Sequence, residues 1–459
     1  MNNRIRNLLL SYDYSKSINP TQPLAAHISS LLSREHPKTA DIKIIAANQS
    51  FHLHKFILSA RSPYFSKRLA LKPETTSWTL SQSLPFRSFY TSIRFLYLGE
   101  VGADLGDGEE EQAVLKGIDK LGRQLEIPHL FEGILACEDR RLARQLRSDE
   151  IKRGLTQMRD WVKNNIVKNK LRVDTAHASS VKWDRSNSVF ADVLLRADEE
   201  EAEVGLEELS DRKAVSNDIP IGPARDPLTT SRMSKHNHKS ILFPTHKAML
   251  IRSKYFSIMF SSDFREAQET PYLQIITVDF SPPVLEIVLT FLYTETVDIP
   301  LDLAIETVYA ADMLCLDKLK MKAAVIVSTL GDNTTPPGKG GKAKRKTKIN
   351  LEVASSSNDA MNIYDVIRAG WQTRLPRLEE FSARYIANRL ENFIDEEEFV
   401  ELVMESAERI NDRQETDTIE LIDEYGLSLF SIINKIRVPF ILFFLFYLLS
   451  TLSMHVLNP

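Results

Sequence analysis

Two histidines stand where histidine chemistry would start. His54 and His246 each open an apolar helical pattern, and each follows a strand that begins with an acid, Asp41 and Asp192. A histidine oriented by a carboxylate is two thirds of a nucleophilic triad. The third member is missing, because no serine accompanies either pair in a strand-to-helix nucleophile turn. Both pairs read instead as buried polar networks that order a domain. His236, His238 and His246 resemble a metal cluster on paper, but no cysteine lies near and the first two fall in a polar excursion. Gly331 to Lys342 follows an apolar run and mimics a phosphate loop. Six residues separate Gly331 from Gly338 and Lys339 precedes Gly340, so the spacing is wrong. Cys137 and Cys315 are the only cysteines and supply neither a disulfide framework nor a Cys-x-x-Cys pair. The expectation is a chain with no catalytic residue, no metal and no cofactor.

The elements that carry these histidines occur twice. Residues 54–66 read His-Lys-Phe-Ile-Leu-Ser-Ala-Arg-Ser-Pro-Tyr-Phe-Ser, and residues 246–257 repeat the block with one residue deleted. Ala40-Asp41-Ile42 precedes the first and Ala191-Asp192-Val193 the second. Phe95-Leu96-Tyr97 and Phe291-Leu292-Tyr293 follow in the same order. An ordered repeat of this length means two domains of one fold rather than a short-period solenoid.

Around these blocks, Ile42, Ile44, Phe51 and Leu53 alternate as a strand hairpin with Asn48-Gln49 at its turn, and His54 to Leu69 reads as one helix. Ser281 with Pro282-Pro283 is a helix start, and Val284, Leu285, Val288, Leu289 and Leu292 give that helix an apolar face. Strand-like and helical segments in one repeated block give an expected fold class of α/β (α+β). The spacing predicts an N-terminal remnant of helical scraps at 1–38 and a first domain at 39–137. A charged, exposed connecting helix at 138–185 follows. A second domain at 186–330 carries a disordered insertion at 197–241. A basic Gly/Pro/Ser linker at 331–358, a helical region at 359–426 and an apolar segment at 427–459 complete the chain.

At 459 residues, 43% hydrophobic and 26% charged, the composition is that of an ordinary globular protein. A net charge of −4 supplies no positive field to gather phosphates, which argues against a nucleic-acid partner.

The block Asp-(Ile/Val)…His-Lys-x-x-Leu…Arg-Ser-x-Tyr-Phe…Phe-Leu-Tyr resembles the BTB/POZ fold, and the resemblance implies an α/β protein-association domain with a small sheet capped by helical hairpins. Asp41, His54, Lys55, Arg61, Ser62, Tyr64 and Phe65 stand at its signature positions in the first copy. Asp192, His246, Lys247, Arg252, Ser253, Tyr255 and Phe256 do so in the second. Two such domains, a basic linker and a BACK-like helical tail resemble the ankyrin repeat and BTB/POZ domain-containing family in a fungal form. Arg4 to Tyr14 resembles the segment that follows that family's ankyrin repeats. The repeats themselves are missing from this sequence, either because the chain is a natural short form or because its gene model starts late.

The resemblance implies a non-enzymatic adaptor. Phe264-Arg265-Glu266 stands where many such adaptors place a hydrophobic-x-Glu motif that grips a cullin-3 scaffold, and Lys72-Pro73-Glu74-Thr75 in the first copy is a poor match. The expected partners are a cullin-3 scaffold at Phe264 and Glu266, a substrate protein, and other BTB domains through self-association, within one chain or between chains. The alternative is a scaffold that only oligomerises. Lys342, Lys344, Arg345, Lys346 and Lys348 form a basic run that is either a nuclear-targeting signal or a solubilising linker. Val438 to Leu457 contains no Asp, Glu, Lys or Arg over 20 residues, enough to span a bilayer. It reads as a tail anchor, as a replaced exon end, or as a packed helix. The expected location is cytoplasmic, extending to the nucleus, with a tail-anchored membrane protein as the alternative.

Overall fold

The computed structural model describes residues 23–33, 37–46, 49–80, 84–101, 109–135, 139–199, 239–261, 271–331 and 362–411. The chain forms two compact units, Met1–Val297 and Asp298–Pro459.

The first unit opens with α1 (Pro23–Leu32), followed by β1 (Ile42–Ala46), β2 (Gln49–Leu53), α2 (Lys55–Arg61), α3 (Pro63–Leu71), β3 (Ser77–Thr79), α4 (Phe86–Leu98), α5 (Glu109–Gln124) and α6 (His129–Leu135). β1 alternates buried and outward residues because Ile42, Ile44 and Ala46 face the core while Lys43 faces water. It pairs antiparallel with β2, placing Ile44 opposite Phe51, and parallel with β3, placing Ile44 opposite Trp78. The helix expected over 54–69 is two helices. Ser62 is extended (φ −132°), and its side chain accepts from the Phe65 amide, so it caps α3 just ahead of Pro63.

The charged stretch that follows is α7 (Arg140–Val162), started by Asp139, whose carboxylate accepts from the Arg141 and Leu142 amides. Its first half is largely exposed, as its composition suggested, but its second half is not. Met158, Trp161 and Val162, at helical spacing, are buried together with Glu150, and the helix packs on α2. β4 (Leu171–Asp174), α8 (Thr175–Ala178), β5 (Val193–Asp198), β6 (Lys239–Thr245), α9 (Lys247–Leu250), α10 (Lys254–Ser261), β7 (Gln274–Thr277) and α11 (Pro282–Thr294) complete the unit. The second sheet runs β4-β6-β5-β7, against β2-β1-β3 in the first, so β5, β6 and β7 repeat β1, β2 and β3. Pro244 lies past Leu242, the last β6 residue paired with β4, where no ladder amide is required of it.

The second unit is helical: α12 (Ala304–Met313), α13 (Asp317–Gly331), α14 (Ile363–Thr373), α15 (Pro376–Ala387), α16 (Leu390–Phe393) and α17 (Glu397–Asn411). α12 packs on α13 and α14, and α13 packs on α15, over Val308, Ala311, Leu319, Ala323, Val327, Val366 and Leu378. Lys320 links α13 to its two neighbours, donating to the Asp312 carboxylate of α12 at 2.8 Å and the Thr373 carbonyl of α14 at 3.1 Å. No described helix is long and apolar enough to cross a membrane. The apolar segment at 438–457 lies outside the described residues.

Candidate interaction surfaces

The signature residues form the same network in each copy. The backbone amide of His54 donates to the Tyr97 hydroxyl at 2.9 Å, and that of His246 to the Tyr293 hydroxyl at 3.1 Å. The imidazole Nδ1 meets the same hydroxyl at 3.2 Å in the first copy and 2.7 Å in the second. The aspartates do not pair with these imidazoles, as the sequence suggested. The Asp41 carboxylate accepts the amide of Lys55 at 2.7 Å, and that of Asp192 accepts the amide of Lys247 at 2.7 Å. Each aspartate thus caps the first amide of a helix, which the adjacent histidine ring cannot reach. Outward from each ring, Nε2 of His54 meets the Thr39 hydroxyl at 3.1 Å, and Nε2 of His246 meets the Val189 carbonyl at 2.9 Å. Phe190, held at φ 61°, turns the chain just after that carbonyl.

Both networks are buried, and burial sets their protonation. It raises the Asp41 carboxyl to about 7, with the Lys55 amide and ammonium opposing and the charge of Asp192 adding to the rise. It raises Asp192 to about 6 and lowers His246 to about 4, so that imidazole is neutral near pH 7. The described residues contain no cluster of three or more His, Cys, Asp or Glu able to hold a metal.

The two copies pack against each other. Phe56, fully buried on α2, stacks on His246 with centroids 4.4 Å apart and meets the Tyr293 ring edge-on at 6.0 Å. Trp161 of α7 closes this cluster, 6.0 Å from Phe56 and 5.4 Å from His246. α1 packs on α4 and β2 yet reaches the other copy. Its Leu24 amide donates to Glu295 at 3.1 Å, and His27 meets the Ala248 carbonyl at 2.7 Å.

Arg61 and Arg252 fasten each copy. Arg61 donates to the Leu96 carbonyl at 2.9 Å and pairs with Glu150 of α7 at 2.6 Å, both side chains under a tenth exposed. Arg252 donates to the equivalent Leu292 carbonyl and lies 3.9 Å from Glu295. The source of the carboxylate differs because the helix ends differ. Gly99 ends α4 at φ 66° with only 3.2 Å between a built Cβ and Glu150, whereas Glu295 holds the same left-handed position at φ 56° and supplies the carboxylate itself. A built Cβ on Gly154 would lie 2.9 Å from the Arg61 guanidinium, which accounts for a glycine inside α7.

The outer faces of the two signature helices diverge. In α10, Tyr255 and Ile258 are 38% and 55% exposed. Their counterparts on α3 are Tyr64 and Lys67. Tyr64 stacks on Trp78 at 5.9 Å, and Arg68 covers that indole at 4.8 Å. Lys67 pairs with Glu126 at 3.0 Å. The chain after α3 is also pinned, since the buried Lys55 ammonium donates to the Pro73 carbonyl at 2.7 Å. Phe264 and Glu266, the basic run 342–348, His236 and His238 all lie outside the described residues. Sequence reasoning missed Phe56, Glu150, Trp161 and Trp78. The 158, 161, 162 spacing was the signal available for Trp161.

Two α/β modules of one topology, mated where Phe56 of one copy stacks on His246 of the other, define a protein-interaction module. A family profile described as "BTB/POZ domain" matches residues 31–135 and 237–329. Over 439 residues the chain is 32% identical to "BTB/POZ domain-containing protein 3" of Schizosaccharomyces pombe, covering 93% of this chain and 68% of that protein. It is 27% identical over 439 residues to "Ankyrin repeat-containing protein YIL001W" of Saccharomyces cerevisiae, covering 92% and 73%. Among solved structures, the BTB domain of human gigaxonin matches at 17% identity and a TM-score of 0.20, over 26% of this chain and 92% of that one. The chain belongs to the BTB/POZ domain-containing proteins.

Proposed function

We propose that this protein is an adaptor that brings a substrate protein to a cullin-3 type ubiquitin ligase, with the second BTB domain as the scaffold-binding copy and catalysis left to the ligase. The observation that supports the reading is the open face of α10. Tyr255 and Ile258 are exposed on the helix that leads into Phe264-Arg265-Glu266. An apolar anchor seated in a partner groove contributes about 1.5–3 kcal/mol, and a carboxylate at the rim fixes register. The alternative, a scaffold that only oligomerises, has less support, because the Phe56 and His246 surfaces of the two copies are already packed on each other within the chain. A pull-down of cullin-3 with the full chain tests the adaptor reading. Retention by wild type and loss with Phe264→Ala/Glu266→Lys is expected. No retention by folded wild-type protein rejects it.

A further inference from the structure

Homologous association domains joined in one chain have two ways to behave. Each can pair with a copy in another chain, giving a dimer with doubled partner faces, or the two can pair with each other. The contacts across the seam point to the second. Phe56 on His246, His27 on the Ala248 carbonyl and Leu24 on Glu295 are all contacts between the copies of one chain. α7, the segment that joins the copies, supplies Trp161 to the aromatic cluster and Glu150 to Arg61. The connector is therefore part of the seam, because Trp161 touches one residue of each copy, Phe56 and His246. A covalent link also holds the two surfaces at an effective concentration that a second chain rarely matches.

The partner faces show the second asymmetry. In the second copy, Tyr255 and Ile258 present apolar surface. In the first, the equivalent surface is consumed: Trp78 takes the Tyr64 ring, Arg68 lies over Trp78, and a lysine ion-paired to Glu126 replaces the isoleucine. Leu71 is 82% exposed at the end of α3, but Ala70 and Lys72 beside it are exposed and non-aromatic, so it is a single surface residue rather than a patch.

We infer that the chain is a self-closed pair that stays monomeric and offers one partner face, the Tyr255 and Ile258 face of α10, so that it binds one scaffold molecule per chain. The monomer half stands on the seam alone. The one-face half rests on the adaptor reading above and names its stoichiometry.

Light scattering on the full chain during size exclusion tests both halves. Alone, the chain is expected at its monomer mass of 52.3 kDa at every concentration loaded. Mixed with excess cullin-3, it is expected to gain the mass of one scaffold. A doubled mass for the free chain overturns the closed pair, whatever cullin-3 does. Two scaffolds per chain overturn the single face while leaving the adaptor reading intact. A monomeric chain that takes up no scaffold removes the adaptor reading, and the single face with it. Ile258→Lys installs at an exposed position the residue type its counterpart already holds, so the fold is retained, and it is expected to weaken binding about tenfold or more. Lys67→Ala is expected to leave binding unchanged. An equal loss in both variants overturns the assignment to the second copy.

Discussion

The ring of Phe56 stacks on the imidazole of His246 across the seam between the two copies, with 4.4 Å between centroids and 28° between planes. The counterpart of Phe56 in the repeat is Ala248, whose carbonyl receives His27 instead. One large side chain thus fills the centre of a seam that two would overcrowd. Phe56→Ala is expected to cost about 3–5 kcal/mol by opening a cavity among His246, Tyr293 and Trp161. Chemical unfolding monitored by tryptophan fluorescence measures it, and a loss near the ~0.5 kcal/mol of an ordinary surface change would remove Phe56 from the seam.

Arg61 and Glu150 are buried partners, whereas Lys67 and Glu126 are an exposed pair. Removing one member of the buried pair leaves an uncompensated charge. Glu150→Ala is therefore expected to destabilise by about 3–5 kcal/mol. Glu126→Ala is expected to cost no more than about 1 kcal/mol. Denaturation midpoints of the two variants, compared at one salt concentration, check the contrast.

Gly154 offers a test in which packing and propensity have opposite signs. On propensity alone, Gly154→Ala would stabilise α7 by about 1 kcal/mol. The guanidinium beside it has no room to move, because the Leu96 carbonyl and Glu150 both hold it. The substitution is expected to destabilise by about 1–3 kcal/mol. A raised melting temperature would contradict the close approach of α7 to α2.

The repeat and its signature were legible because they are local. Arg61, Ser62, Tyr64 and Phe65 lie within one helix-break-helix block, and a cap or a helix start is written in adjacent residues. The role of α7 was not legible. A helix rich in charge reads as solvated, and only its long-range placement against α2 reveals that Glu150 and Trp161 are buried. The aspartates were misread for a related reason. Chain order places Asp41 near His54, but the register of β1 against β2 presents its carboxylate to the Lys55 amide. The difference between the α3 and α10 faces depends on Trp78, a strand residue that sequence order does not bring to Tyr64.

The buried carboxyls give the pair a pH dependence. Asp41 rises from 3.8 unfolded to about 7 folded, so the folded state binds the extra proton between those values. Its stabilising contribution is complete below pH ~4 and is lost as pH rises through about 7. His246 runs the other way. It falls from 6.5 to about 4, so its contribution is present above 6.5 and is lost as pH falls toward 4. Asp41→Asn keeps an oxygen for the Lys55 amide and removes the titration. The stability of wild type minus that of Asp41→Asn is expected to fall between pH 4 and pH 7. A flat difference would mean that Asp41 carries its charge in the folded protein without penalty.

The most direct test of the account is a calorimetric titration of the full chain with cullin-3, run with wild type and with Phe264→Ala/Glu266→Lys. The expected result is a single binding event for wild type at one scaffold per chain, absent in a double variant that still folds. Wild-type protein that gives no binding heat, or a double variant that binds as tightly, would contradict the assignment of the second BTB domain as a cullin-recruiting module.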